Sequence, residues 1–238
     1  MANSSLFQDL LERTEDLRGR LIRSFIAILL VAIAAYVFRD RVLGFIQRPL
    51  ADKELIFIHP TEAFFTYIKL SLFVGVLVTA PYLLYQIIQI ATPFLSKSER
   101  FGRGFVWTLF GFGSIFFYSG AAFALLGVMP FALEFLKGIS GESLRATFTV
   151  GNYASFVMAF TLIFGFVFEM PVISFGLARL GLITRKTLTS QWRIALVGAA
   201  ILAAVLTPPD PITQMFLWGP LLILYGLSIA LAGIAERR

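Results

Sequence analysis

The chain has 238 residues, 58% of them hydrophobic and 14% charged, with a mean hydropathy of +0.83, too apolar for an ordinary soluble domain. At ~20 residues per membrane span, residues 1–238 hold six or seven helices in one domain. Cysteine is absent, which excludes disulfides and thiol chemistry; the single His59 cannot build a His-rich metal site; and the +6 net charge lies in short loops, where it reports orientation rather than nucleic-acid binding.

Residues 5–23 predict an amphipathic helix at the membrane surface, so that 1–23 form a cytoplasmic N-terminal segment. Ser5 and Gln8 have capping-box spacing, and Leu6, Leu10, Leu17 and Leu21 recur on one face. On the other face Asp9 precedes Arg13 and Asp16 precedes Arg20 by four residues, the favourable order for helical ion pairs. Leu21 to Phe38 is the first span, closed by Arg39-Asp40-Arg41. Ala32-Ile33-Ala34 imitates a signal-peptide cleavage site, but a long acid-rich segment precedes it and the apolar run continues beyond it, so this span is read as retained. The loop over 42–64 carries a short amphipathic piece (Val42, Leu43, Phe45, Ile46) stopped by Pro49, then an extended Leu55–Ile58, then a helix start at Pro60-Thr61-Glu62. The second span runs from Phe64 to Ala91 with Pro81 inside it, and Lys69 near its outer end snorkels to the interface.

Thr92 to Arg103 reads as a tight loop in which Ser96 and Glu99 have capping-box spacing. The third span, Gly104 to Val128, places Gly113, Gly120 and Gly127 one heptad apart, a stripe that lets a neighbouring helix approach closely. Pro130 to Gly151 forms a second outer loop around a short apolar helix. The fourth span lies within Tyr153–Leu177, and Glu169 is its only charge. A bare carboxylate in hydrocarbon costs at least ~2.5 kcal/mol, and Pro171 directly after it frees carbonyls one turn back. Glu169 is therefore a functional acid or a neutral, hydrogen-bonded tie between helices. The fifth span, Trp192–Leu206, is only ~22 Å long against a ~30 Å hydrocarbon core. Asp210 N-caps the sixth span with Pro211 at its first position, and this span ends near Ala235.

Thirteen Lys and Arg fall on one side: Arg13, Arg18, Arg20, Arg23, Lys97, Arg100, Arg103, Arg179, Arg185, Lys186, Arg193, Arg237 and Arg238. Six fall on the other: Arg39, Arg41, Arg48, Lys53, Lys137 and Arg145. The positive-inside rule then puts both termini in the cytoplasm, as six spans require.

Phosphate-binding loops, H-E-x-x-H and G-x-S-x-G are all missing, and one intramembrane carboxylate without a His partner cannot run hydrolysis, so no enzyme and no cofactor is expected. Two classes remain. One is a small-solute secondary transporter using Glu169 as a proton or ion site, although no internal repeat is evident. The other is a receptor for peptides and membrane helices, in which the acid–base N-terminal face and the Glu99 loop grip a cationic peptide through charge-assisted bonds.

Leu17-Arg18-Gly19-Arg20-Leu21 resembles the L-R-x-R-L signature of the TatC family, the multispanning subunits of the twin-arginine protein translocase. Pro60-Thr61-Glu62-Ala63-Phe64-Phe65, Ile68-Lys69-Leu70-Ser71, Ala80-Pro81, Leu84-Tyr85-Gln86 and Pro93 with Ser98-Glu99-Arg100 continue the likeness. Phe164-Gly165, Phe168-Glu169-Met170-Pro171 and Thr207-Pro208-Pro209-Asp210 with Gln214 complete it over nearly the whole chain. Arg13 stands where the family has His, adding a positive charge, and Asp16 where it has Glu, keeping the charge on a shorter arm. The resemblance implies an all-α, six-span, concave bundle with short fifth and sixth spans, in the bacterial cytoplasmic membrane. It implies a receptor for the twin-arginine signal peptides of folded cargo that works with single-span TatA/TatB-type subunits and further copies of itself, driven by the proton-motive force. Asp16 and Glu99 then contact the paired arginines, with Arg18, Arg20 and Arg100 shaping the same patch. Glu169 and Pro171 belong to the intramembrane face, Asp210 and Gln214 to the partner-helix side, and Pro49 to the outer loop.

Overall fold

The computed structural model describes residues 2–50, 55–95, 103–139, 149–206 and 211–236. Helix α1 (Ala2–Val37) takes in both the amphipathic segment and the first span as one 36-residue rod. The amphipathic helix expected over 5–23 and the first span are thus continuous, and the helix starts upstream of Ser5. Gly19 is the only glycine on the way, and one interior glycine costs about 1 kcal/mol relative to alanine, too little to break the rod. At 1.5 Å per residue α1 is ~54 Å long, so its amphipathic start overhangs a ~30 Å core. The span itself is wrapped in apolar side chains that protein does not cover, among them Phe25, Leu30, Ile33 and Val37.

Helix α2 (Arg39–Gln47) follows at once, buries Leu43 and Ile46, and ends in a 3-10 turn over Arg48–Leu50. Helix α3 (Pro60–Leu95) opens at the expected proline, passes through Pro81 and runs past Ala91. It packs along α1. Two long segments are tied together beside its start. Ile56 forms a parallel bridge with Thr149, the Val150 N–H donates to the Ile56 carbonyl at 3.1 Å, and Glu62 accepts from Gly151 N–H at 2.8 Å and from Ile58 N–H at 3.0 Å. One carboxylate therefore satisfies two backbone donors, one of them in the first turn of a helix, where anionic groups are favoured.

Helix α4 (Arg103–Phe123) passes through a π-helical turn, Ala124–Val128, into α5 (Met129–Ile139). The short apolar helix expected within the loop from Pro130 is α5, which runs on directly from the π turn. The glycine stripe is used unevenly. A Cβ on Gly120 would run into the Phe164 carbonyl and lie 2.8 Å from Phe168 Cβ, whereas one on Gly127 would meet only Phe123 of its own helix, at 3.5 Å. Helix α6 (Val150–Phe168) is capped by Thr149, whose hydroxyl accepts from Asn152 N–H at 3.3 Å, and α7 (Met170–Arg179) continues it after a break at Glu169.

A short α8 (Arg185–Ser190) leads to α9 (Trp192–Leu206), whose bounds are those read from the sequence. Helix α10 (Pro211–Glu236) has 26 residues, so the expected short sixth span is corrected: Pro220 sits inside it without ending it, and apolar sequence runs on to its last turn. Among the described residues five stretches are long and apolar enough to cross a membrane, Asp16–Val37, Thr61–Ile90, Arg103–Glu134, Val150–Arg179 and Gln214–Glu236, with Trp192–Leu206 as a shorter apolar helix. Among the described residues there is no strand beyond the single bridge. The main core gathers where α2, the 3-10 turn, the π turn and α5 meet α3 and α6, with Leu50, Leu70, Val128, Met129 and Val157 nearly inaccessible. Three buried hydroxyls bond back along their own helices, Thr79 to Gly75 O (2.7 Å), Thr161 to Val157 O (2.8 Å) and Ser228 to Leu224 O (2.9 Å), which satisfies these donors in an apolar surrounding.

Candidate functional site

Asp16 and Arg20 lie one turn apart on α1, and Arg20 Nε donates to Asp16 Oδ2 at 2.8 Å. The other arm of the guanidinium reaches α3, where Arg20 Nη1 donates to Gln86 Oε1 at 3.2 Å, and Gln86 Nε2 meets the Tyr82 hydroxyl at 2.6 Å. Gln86 is buried while the Asp16 side chain is 54% exposed. The guanidinium is thus clamped between two helices, and among the described residues Arg20 is the ion-pair partner of Asp16, on Oδ2. Arg18 is exposed on the same helix and joins none of these bonds. A fixed carboxylate at a wet surface suits a planar cationic fork, which bonds both oxygens of one acid.

Glu169 sits where α6 stops. Its N–H turns back to Phe166 O at 3.1 Å, and its own carbonyl accepts from Ile173 N–H at 2.9 Å. Pro171, fully buried, has no N–H for Val167 and its ring crowds that carbonyl, which explains the break. The side chain is 4% exposed, and Oε1 has no hydrogen-bond partner among the described residues. It lines a cavity of about 360 Å³ between α3, α4 and α7, walled by Leu84, Ile88, Gly113, Phe166 and Ile173. A Cβ on Gly113 would lie 3.2 Å from Glu169 Oε2, so that glycine makes room for the acid.

Gln214 Nε2 donates to Ala200 O at 3.2 Å and Trp218 Nε1 to Leu196 O at 3.1 Å, two rungs that hold α10 against α9. Pro49 is half-buried in the 3-10 turn beside Leu50, which is 1% exposed.

Residues 12–220 match the family described as Sec-independent protein translocase protein (TatC). This chain belongs to the TatC family. The Sec-independent protein translocase protein TatC of Carboxydothermus hydrogenoformans is 38% identical over 226 residues, spanning 94% of this chain and 92% of the relative. The protein of the same description from Aquifex aeolicus is 37% identical over 235 residues, covering 96% of both. A crystal structure of a twin arginine translocase receptor, TatC, superposes with a TM-score of 0.81 at 35% identity, covering 94% of this chain and all of the other. The all-helical fold expected from the sequence is that of this family, a family of translocase components rather than enzymes.

Of the TatC-type residues singled out in the sequence, the structure brings Asp16 and Arg20 into one cluster and puts Glu169 and Pro171 at one break. Gln214 and Pro49 stand apart from both, and Glu99, Arg100 and Asp210 lie outside the described residues. Sequence reasoning had Gln86 only as part of a motif and did not place it, or Tyr82, beside Arg20. It also took Glu62 for a helix-start residue and missed the second segment it holds.

Proposed function

We propose that this chain is the receptor subunit of a twin-arginine translocase, binding the paired-arginine signal peptides of folded proteins for export across the bacterial cytoplasmic membrane. The observation that carries this reading is the likeness to a solved twin-arginine translocase receptor over nearly the full length of both chains. The exposed Asp16 carboxylate, held in place from α3 through Arg20, supports it locally. In this reading Asp16 and Glu99 take the two guanidinium groups, while Arg18, Arg20 and Arg100 shape the patch and turn away other cations. Glu169, through the cavity it lines, serves the intramembrane side that meets a TatA- or TatB-type single-span helix, with Pro171 holding the break that places it; Asp210 and Gln214 serve the side where α9 and α10 meet, and Pro49 shapes the outer turn. Both termini are cytoplasmic, as the thirteen-to-six distribution of Lys and Arg supports, and further copies of the chain join the same complex. The small-solute transporter reading has no support in the comparisons.

The test is peptide cross-linking. A photo-cross-linker replaces Leu17, exposed next to Asp16, and the protein is offered a peptide with Arg-Arg or with Lys-Lys. Simple charge attraction at a wet surface is weak and screened by salt. The Arg-over-Lys preference is geometric and persists as salt rises. Asp16→Arg abolishes the Arg-Arg signal without changing expression. Equal labelling by both peptides, fading together with salt, refutes the receptor reading, as does no labelling by either.

A further inference from the structure

A second cavity, of about 460 Å³, opens between α4, α7 and α10, and it shares Phe105, Leu109 and Val172 with the wall of the Glu169 cavity. Its remaining surface is mainly apolar, with Phe112, Phe175, Leu231 and Ile234 beside the hydroxyl residue Thr108, and among the described residues its charged side chain is Arg179. Arg179 ends α7 and is half-buried. One of its nitrogens donates to the Ala235 carbonyl at 3.3 Å, in the last turn of α10, and among the described residues no carboxylate pairs with it. Its other donors remain for a ligand.

Depth and charge both indicate what fills this space. Phe105 packs on Phe175 with ring centroids 6.3 Å apart, which sets the start of α4 level with the end of α7. Phe112 lies nine residues beyond Arg103, where α4 begins. That is about 14 Å at 1.5 Å per residue, close to the ~15 Å of one leaflet in a ~30 Å core. The cavity therefore reaches from the interface down one leaflet, and its volume is within the usual ~300–1,000 Å³ of ligand pockets. Around its mouth the charge is mainly positive. Arg103 opens α4, and the Arg185 side chain lies along α10, where a Cβ on Gly233 would come within 2.9 Å of its Cδ. Among the described residues the carboxylate there is Glu236, which is engaged by the Arg185 backbone N–H.

We propose that this cavity is a binding site for an anionic phospholipid, with the phosphate on Arg179 and one acyl chain along Phe105, Phe112, Phe175 and Leu231. Basic pockets between membrane helices hold acidic headgroups in this way, and the apolar walls select a lipid over a free anion. The site is distinct from the peptide patch and does not depend on that assignment.

The experiment is native mass spectrometry of the full chain in detergent, titrated with dioleoylphosphatidylglycerol or dioleoylphosphatidylcholine. The wild type binds the anionic lipid more tightly. Arg179→Gln weakens it about fivefold, the worth of one basic residue near a headgroup, and leaves phosphatidylcholine unchanged. Arg193→Gln, whose guanidinium stacks over Trp192 away from the cavity lining, changes neither. Leu231→Trp fills the cavity while keeping Arg179 and lowers retention of both lipids, so the question is answered even if the Arg179 variant does not fold. Equal affinity for the two lipids in the wild type overturns the site. So do an unchanged preference in Arg179→Gln, an equal loss in Arg193→Gln, full retention in Leu231→Trp, and displacement of phosphatidylglycerol by inorganic phosphate, each of which points to diffuse charge or a headgroup-free anion site.

Discussion

Glu169 combines 4% exposure with an oxygen that no described residue satisfies, a state that costs about 1–3 kcal/mol in a folded chain. A residue kept for stability alone would be better replaced by an apolar one of similar size. Glu169→Leu is therefore expected to raise the melting temperature of the purified protein or leave it unchanged, while export of a twin-arginine reporter is lost. A melting temperature that falls in step with export would return Glu169 to a structural role. The glycine stripe gives a sharper steric test. Gly120→Ala must push its Cβ against Phe164 and Phe168 and should lose about 1–3 kcal/mol, as overpacked sites do. Gly127→Ala meets only ordinary contact and should be neutral in the same thermal assay; equal effects would refute the packing account. At this scale the sequence was informative about isolation and silent about partners. Glu169 stood out because nothing charged surrounds it within its span. Gln86 did not stand out, because its bond to Arg20 joins residues 66 apart and depends on how α1 lies against α3.

Among the described residues, helix α9 is the apolar helix of the bundle that falls short of the membrane. Its 15 residues span ~22 Å, and the Gln214–Ala200 and Trp218–Leu196 bonds fix it along the first turns of α10. A span shorter than its neighbours thins the bilayer locally or draws its end below the headgroups. A thinned patch lowers the barrier for cargo that has no fixed pore. Inserting four residues after Ala203 lengthens α9 by one turn and should impair export, measured as periplasmic reporter, while cross-linking of the Arg-Arg peptide at position 17 stays intact. Unchanged export in that variant would refute the thinning argument. The ends of α9 were legible because polar residues and prolines bracket a continuous apolar run. The unbroken α1 and the π turn were not. Charge alternation marks a change of surroundings without a change of backbone, and a π turn leaves no periodic signature in five residues.

The orientation of the whole molecule follows from where the cations lie, and the protein is suited to a direct test of it because it has no native cysteine to remove. Phe57 is exposed between α2 and α3, and Thr189 is exposed in α8, among the basic residues that follow α7. Single substitutions at such positions usually cost within ±0.5 kcal/mol, so each should leave the fold and export intact. Both sites sit in short connections, where Lys and Arg decide which side stays in the cytoplasm. If the side with thirteen basic residues is cytoplasmic, Phe57→Cys reacts with a membrane-impermeant maleimide in intact spheroplasts. Thr189→Cys then reacts only after the membrane is opened. Arg185, Lys186 and Arg193 supply three of the thirteen, so replacing all three with Gln tests how firmly the topology is held. With ten still against six, Thr189→Cys should remain protected in that background. Labelling of Thr189→Cys in closed spheroplasts in the native background would reverse the orientation and put Asp16 on the wrong side of the membrane to meet a signal peptide before export.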